Sequence, residues 1–341
     1  MRKKKVYLSV IIPAYNASVA VTRLLSSLRK SRYKDFEVII GDDASEEPIG
    51  LVCQDVISRS KFPITIVRLK KNHGPAGARN YAAQKAKGNV IVFLDADVEV
   101  YPDTLSKIAG YFKSDDDLTA LTGVWDKEQR TNRFFPQFKA LRDWSYWTNE
   151  RDRDGYYYLF STRIAALRRK VFERLGGFNV AFRQMEDVEI TYRIARRYAI
   201  IFASDVKVHH EFEELWPVAK KYFWRSVYWS KLWRARKKFD PVATTMWETL
   251  AALTGVGSVA LFLLGIGIYF LIPSQVVKQI TLLGSVILLL FHWILLRKFL
   301  TFVYKEKGLL FTIEAFVVGL FLYTVILSGA MYYNFSKKLL E

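Results

Sequence analysis

"IVFLDADVEV", residues 91–100, sets four large apolar residues, Ile91 to Leu94, directly before two carboxylates, Asp95 and Asp97. A short unbroken apolar run of this kind predicts a strand buried on both faces, as in a parallel sheet. Charge has no place inside such a strand, so the aspartates mark its end and the start of a site. Side chains alternate along a strand with period two, which predicts that Asp95 and Asp97 point the same way, with small Ala96 between them leaving room for a ligand. Two oxygen donors on one side suit Mg²⁺ or Mn²⁺, which keeps its remaining positions for water and phosphate oxygens.

Upstream the pattern alternates. "YLSVIIPAYN" (7–16), "FEVIIGDDAS" (36–45) and "ITIVRLK" (64–70) read as strands, while "SVAVTRLLSSLRK" (18–30), "IGLVCQDVISRS" (49–60) and "PAGARNYAAQKA" (75–86) read as helices. Strand and helix in alternation predict an α/β fold, a mostly parallel sheet with helices on both faces. Ligands bind such sheets at the carboxyl ends of the strands. Tyr15 and Asn16, Asp42 and Asp43, and Asp95 and Asp97 follow the first, second and fourth strands, so one edge collects them all.

The 341 residues, 51% hydrophobic, provide for a sizeable core and argue against disorder. A formal net charge of +18 calls for an acidic partner or surface, with nucleic acid, anionic lipid and phosphorylated substrates all eligible. The single cysteine, Cys53, excludes an internal disulfide framework and a cysteine zinc site, and reads as a small buried hydrophobe. "MRKKK" leads straight into a strand pattern, so no signal peptide is expected.

Near residue 248 the composition changes. Three uncharged runs, about 249–272, 279–296 and 315–333, each approach the roughly 20 apolar residues that cross a bilayer as a helix. Stretches such as "SVILLLFHWILL" lack the polar face of a soluble helix. Lys231 to Lys238, and Arg297, Lys298, Lys305 and Lys307, are predicted to be cytoplasmic by the positive-inside rule, against which Lys337 and Lys338 count. His292 and Glu314 are expected to snorkel near the cytoplasmic level. The stretch 219–241 mixes eight Lys and Arg with Phe223, Trp224, Tyr228, Trp229 and Trp233. Such mixtures bind single-stranded nucleic acid or lie in a membrane interface, and the adjoining apolar run decides for the membrane and its anionic lipids. The expected organisation is a catalytic domain over 1–215, a juxtamembrane amphipathic segment over 216–241 and a membrane region over 242–341.

"SVIIPAYNA", "EVIIGDDAS", "NHGPAGARN", "VIVFLDADVEVYPD", "LGGF" and "MEDVEITYRI", in this order and spacing, resemble the inverting GT-A glycosyltransferases of family 2 across residues 6–215. The resemblance implies a Rossmann-like GT-A sheet, a nucleotide-diphosphate-sugar donor, a divalent metal and displacement at the anomeric carbon with inversion. It implies donor contacts at Pro13, Tyr15, Asn16, Asp42, Asp43, Arg79, Asp95 and Ala96, with Tyr15 stacking on the base, Asp43 bonding it and Arg79 approaching the diphosphate. Asp95, Asp97 and His210 match the metal-side residues, and His210 fits the family's V-x-H-E spacing better than His209. Ala44 stands where the family has glycine, which reads as a loss of turn flexibility.

Asp187, with Glu186, matches the family's general base, although a carboxylate opening a helix also gains from the dipole. A hydroxyl acceptor needs a base and a phosphate acceptor does not, so the dyad favours a hydroxyl on a glycolipid or lipid-linked saccharide over a polyprenyl phosphate. Gly176, Gly177 and Phe178 resemble the loop that closes near the acceptor, or a simple helix C-cap. "KYFWR" stands where related polysaccharide synthases carry Q-x-x-R-W, which makes Trp224 and Arg225 acceptor candidates but predicts transfer of a single sugar. Residues 124–158 read as an acceptor-facing insertion. A polyprenyl-phosphate transferase and a catalytically silent scaffold for a polysaccharide synthase are the alternatives. A homo-oligomer stays open.

Overall fold

A computed structural model describes residues 6–150, 158–236, 245–271 and 274–336. The first elements are β1 (Leu8–Ala14), α1 (Ser18–Arg29), β2 (Phe36–Asp42), α2 (Ile49–Val52), α3 (Gln54–Ser58), β3 (Ile64–Arg68), α4 (Gly74–Ala83) and β4 (Val90–Leu94). There follow β5 (Val98–Val100), α5 (Thr104–Ser114), β6 (Ala120–Trp125), α6 (Phe134–Thr148), β7 (Ile164–Arg168), α7 (Arg169–Arg174), α8 (Glu186–Ala195) and β8 (Ile200–His210). The chain closes with α9 (Leu215–Arg236), α10 (Met246–Leu271) and α11 (Gln275–Phe335). It forms two units, one of residues 1–132 with 151–212, the other of residues 133–150 with 213–341.

In the first unit eight strands run in the order β3-β2-β1-β4-β7-β6-β8-β5. β3, β2, β1 and β4 are mutually parallel, so their carboxyl ends share one edge. β7 turns antiparallel against β4 and β6, while β6 and β8 are parallel. The two-sided burial inferred from the apolar runs is present. Val90, Val92 and Leu94 join the cluster that includes Leu24, Leu25 and Leu28 of α1 and Ile108 and Phe112 of α5. Phe93, one step out of phase, packs on the rings of Phe160, Phe172 and Phe178 at 6.0, 5.3 and 5.1 Å. Phe93 is fully buried, and truncating such a side chain costs about 3–5 kcal/mol.

One expectation fails at the opening stretch. The strand stops at Leu94, residues 95–97 make a turn, and the chain re-emerges as β5, which pairs with β8 at the far end of the sheet. Period two holds only within a strand, so it does not align Asp95 with Asp97.

The second unit is helical. Phe135, Phe138 and Leu141 of α6, Val218 and Ala219 of α9, and Ala251 of α10 form a core with Leu296, Phe299, Val303 and Leu322 of α11. Residues 133–150, expected within the catalytic domain, therefore belong to this unit, because α6 presents its phenylalanines to these helices. Of the expected insertion at 124–158, residues 124–132 and 158 stay in the first unit, and 151–157 lie outside the described residues, as do Lys237, Lys238, Lys337 and Lys338. Arg142 of α6 is held by Glu150 at 2.6 Å and lies 5.0 Å over the Phe299 ring.

Gly308 interrupts α11 with φ 81° and ψ −176°, a backbone state closed to residues with a side chain, so the apolar segments form three helices. His292 does not snorkel. It is fully buried, with a ring nitrogen 2.8 Å from the carbonyl of Ala251, whereas Glu314 is exposed.

Candidate active site

Construction starts at the end of β4. Phe93 supports the Phe178 ring, Arg79 lies 5.6 Å over that ring, and Arg79 reaches the first aspartate of the turn. Its two terminal nitrogens donate to Asp95 Oδ1 and to Glu186 Oε1, each at 2.6 Å. The guanidinium is buried. Burial alone would lower its pKa, but the two carboxylates outweigh it and push the pKa above the ordinary arginine range. Arg79 was expected to approach a diphosphate; both its terminal nitrogens instead tie the turn after β4 to the start of α8. It is a frame residue, charged under all ordinary conditions.

Asp97 has other company. Its Oδ2 lies 3.3 Å from His210 Nε2, because β5 pairs with β8 in a register that sets Val98 opposite His210. His209 points elsewhere, to Glu211 at 2.7 Å. Neighbouring positions on an octahedral ion with bonds of about 2.1 Å are about 3 Å apart, so this carboxylate and imidazole fit two positions on one Mn²⁺ or Mg²⁺. Among the described residues no group of three His, Cys, Asp or Glu side chains is placed for a cation. The remaining ligands would be diphosphate oxygens and water.

At the end of β2 Asp42 is fully buried. It accepts the amides of Ser45 and Ile49 at 3.0 and 3.2 Å and the Arg68 guanidinium at 2.9 Å. Burial raises its pKa, but these donors more than reverse the effect and hold the carboxyl below its usual range. A donor contact for Asp42 is therefore replaced by a structural knot. Asp43 accepts the His73 amide at 2.8 Å, which joins the loop after β2 to the start of α4. Asn16 stands at φ 49°, its side chain donating to the Glu46 carboxylate and accepting from the Glu46 amide, Tyr15 is half exposed, and Pro13 pairs in register with Gly41. Ala44 has φ 60°, so the alanine carries backbone strain rather than a loss of flexibility.

Gly176 and Gly177 end α7 with φ 74° and 73°, which fits the C-cap reading. A Cβ on Gly177 would come within 2.5 Å of Asn80 Oδ1, whereas one on Gly176 would meet nothing within 4 Å. Asn80 holds Phe178 by both backbone groups at 2.8 Å, accepting from its amide and donating to its carbonyl. Asn80 was passed over in the sequence although it adjoins Arg79. Met185 adopts φ 67° immediately before the dyad, a strained state for a residue with a side chain. Glu186 is buried on Arg79, whereas Asp187 is half buried on the first turn of α8. Trp224 and Arg225 belong to the helical unit. There Trp224 packs edge-on against Phe223 and Tyr332, and Arg225 is exposed.

A mixed, mostly parallel sheet with acidic residues gathered at the carboxyl edge is the fold of GT-A sugar transferases. Residues 9–176 match Glycosyl transferase family 2. An uncharacterised glycosyltransferase of Haemophilus influenzae is 28% identical over 193 residues, 55% of this chain and 61% of that protein. The GalNAc(5)-diNAcBac-PP-undecaprenol beta-1,3-glucosyltransferase of Campylobacter jejuni is 30% identical over 101 residues, 30% of this chain and 33% of that one. This chain thus spans less than two thirds of either relative. Among solved structures, the mannosyltransferase PcManGT of Pyrobaculum calidifontis, in complex with GDP-Man and Mn²⁺, superposes with a TM-score of 0.57 at 17% identity. That likeness covers 97% of this chain and 87% of PcManGT, and it concerns the fold.

Proposed function

We propose that the protein moves one sugar from a nucleotide-diphosphate sugar, a UDP-sugar in the first instance, to a hydroxyl of a lipid-linked saccharide or glycolipid at the cytoplasmic face of a membrane. The observation that carries this reading is the Arg79 bridge. It draws Asp95 and the dyad's Glu186 onto one guanidinium, 2.6 Å to each, which supports a role for Asp187, next in the chain to Glu186, at the donor edge. Asp187 takes the acceptor's proton, since a neutral hydroxyl is a poor nucleophile. Glu186 acts through Arg79 by holding it in place, while Asp97 and His210 would hold Mn²⁺ or Mg²⁺. When bound, that ion supplies Lewis-acid neutralisation of the departing diphosphate.

The acceptor class draws support from the Campylobacter relative, whose name gives an undecaprenol-linked acceptor. The membrane draws support from the helices. α10 has 26 residues, about 39 Å at 1.5 Å per residue, against a hydrocarbon core of about 30 Å. Apolar side chains such as Phe270 (81% exposed) and Leu310 (73%) would face lipid rather than water, with exposed Trp224, Trp233 and Lys231 of α9 at headgroup depth. The test is Asp187→Asn in membranes supplied with radiolabelled nucleotide sugars and extracted for lipid. Transfer should fall by about a hundredfold or more, with donor binding retained. Undiminished transfer would overturn the base and favour a polyprenyl-phosphate acceptor.

A further inference from the structure

A histidine on a metal ordinarily has its ring fixed by a hydrogen bond from the second ring nitrogen to a carboxylate or carbonyl. His210 lacks one: its Nδ1 is buried and has no hydrogen-bond partner among the described residues. Its faces are occupied instead. The Trp125 ring lies 4.9 Å away at an interplanar angle of 30°, and Phe212 meets it edge-on at 4.6 Å. Trp125 is held in turn by Phe212 at 5.2 Å and by Arg163, whose guanidinium carbon lies 4.2 Å over the indole. Sheet register explains the meeting. Trp125 ends β6 opposite Val208 of the parallel strand β8, and His210, two residues on, projects from the same side.

We infer that Trp125, pinned by Arg163, is the positioning residue that aims the His210 ring at Asp97 and at a divalent ion, by stacking where a hydrogen bond would ordinarily serve. This rests on the metal assignment made above. In this role Trp125 acts through His210.

The test is Mn²⁺ affinity, read from the electron paramagnetic resonance of unbound Mn²⁺ with UDP present, on the full chain in detergent. Trp125→Leu should weaken Mn²⁺ binding by about 10- to 100-fold, the range for lost orienting partners of metal ligands. Trp125→Phe, which keeps a ring face, should recover most of it. Binding of UDP without metal should be unchanged in both. If His210→Ala weakens Mn²⁺ binding and a folded Trp125→Leu does not, the positioning role is overturned while the metal histidine stands. If His210→Ala binds Mn²⁺ as the parent does, both fall. Should Trp125→Leu fail to fold, Arg163→Met replaces it, with a smaller loss of Mn²⁺ affinity expected and none overturning the inference.

Discussion

Asp95 and Asp97 are two residues apart and have opposite surroundings. Asp95 is bonded to a buried guanidinium that a second carboxylate also grips, whereas Asp97 is 59% exposed and has an imidazole 3.3 Å from it. One motif thus serves two designs. The first aspartate closes a rigid ion cluster between β4, α4 and α8, and the second stands where a ligand can reach it. The lesson concerns charge balance. Arg79 is buried yet tolerable as a cation because two carboxylates meet its terminal nitrogens at 2.6 Å each.

The sharpest way to break the contrast is Arg79→Ala, which strands two carboxylates. Loss of one partner from a buried ion pair costs about 3–5 kcal/mol, and urea unfolding in detergent followed by tryptophan fluorescence should register it. Next comes Asp42→Asn, at about 2 kcal/mol, since an amide cannot accept from Ser45, Ile49 and Arg68 together. Because the folded carboxyl is held below its usual range, its stabilisation is complete above about pH 4 and is lost as pH falls through the depressed folded value. The variant should therefore show a flatter acid limb; an unchanged limb would assign that loss to other carboxyls. Asp97→Asn tests the other side. It should leave unfolding within about 0.5 kcal/mol of the parent and raise the Mn²⁺ needed for half-maximal transfer by roughly 10-fold or more.

How far the sequence could be read follows the same division. The strands β1 to β4 and the edge they share were legible because apolar runs and turn residues report local periodicity. The turn at 95–97 was not, since nothing in "DADVEV" signals that the chain leaves β4 for the distant edge of the sheet. Arg79 could be matched to a motif, but its partner Glu186 lies 107 residues on, and pairing at that range is a property of the fold. Trp125 was read only as part of the acceptor-facing insertion at 124–158, whereas the register of β6 on β8 brings it to His210. The helices were legible as apolar runs, while the membership of α6 in the helical unit was hidden by its place between catalytic motifs.

The smallest effect concerns the loop that holds Asp42 and Asp43. Ala44 sits there at φ 60°, where a Cβ crowds the following carbonyl at a cost of about 1–2 kcal/mol. Ala44→Gly removes that strain but gives the unfolded chain more freedom to lose, which takes back roughly 0.4–1 kcal/mol. A net gain of about 0.5–1 kcal/mol is expected. Ala20→Gly within α1 is the control, because there φ is helical and glycine costs about 1 kcal/mol. Opposite signs at the two positions in the same unfolding assay would establish that the alanine strains a turn built for glycine, and equal losses would show that the Asp42 knot had already relaxed it. Nucleotide affinity adds a second reading: if the strained turn holds Asp43 and Tyr15 at the donor edge, Ala44→Gly gains stability without tightening UDP.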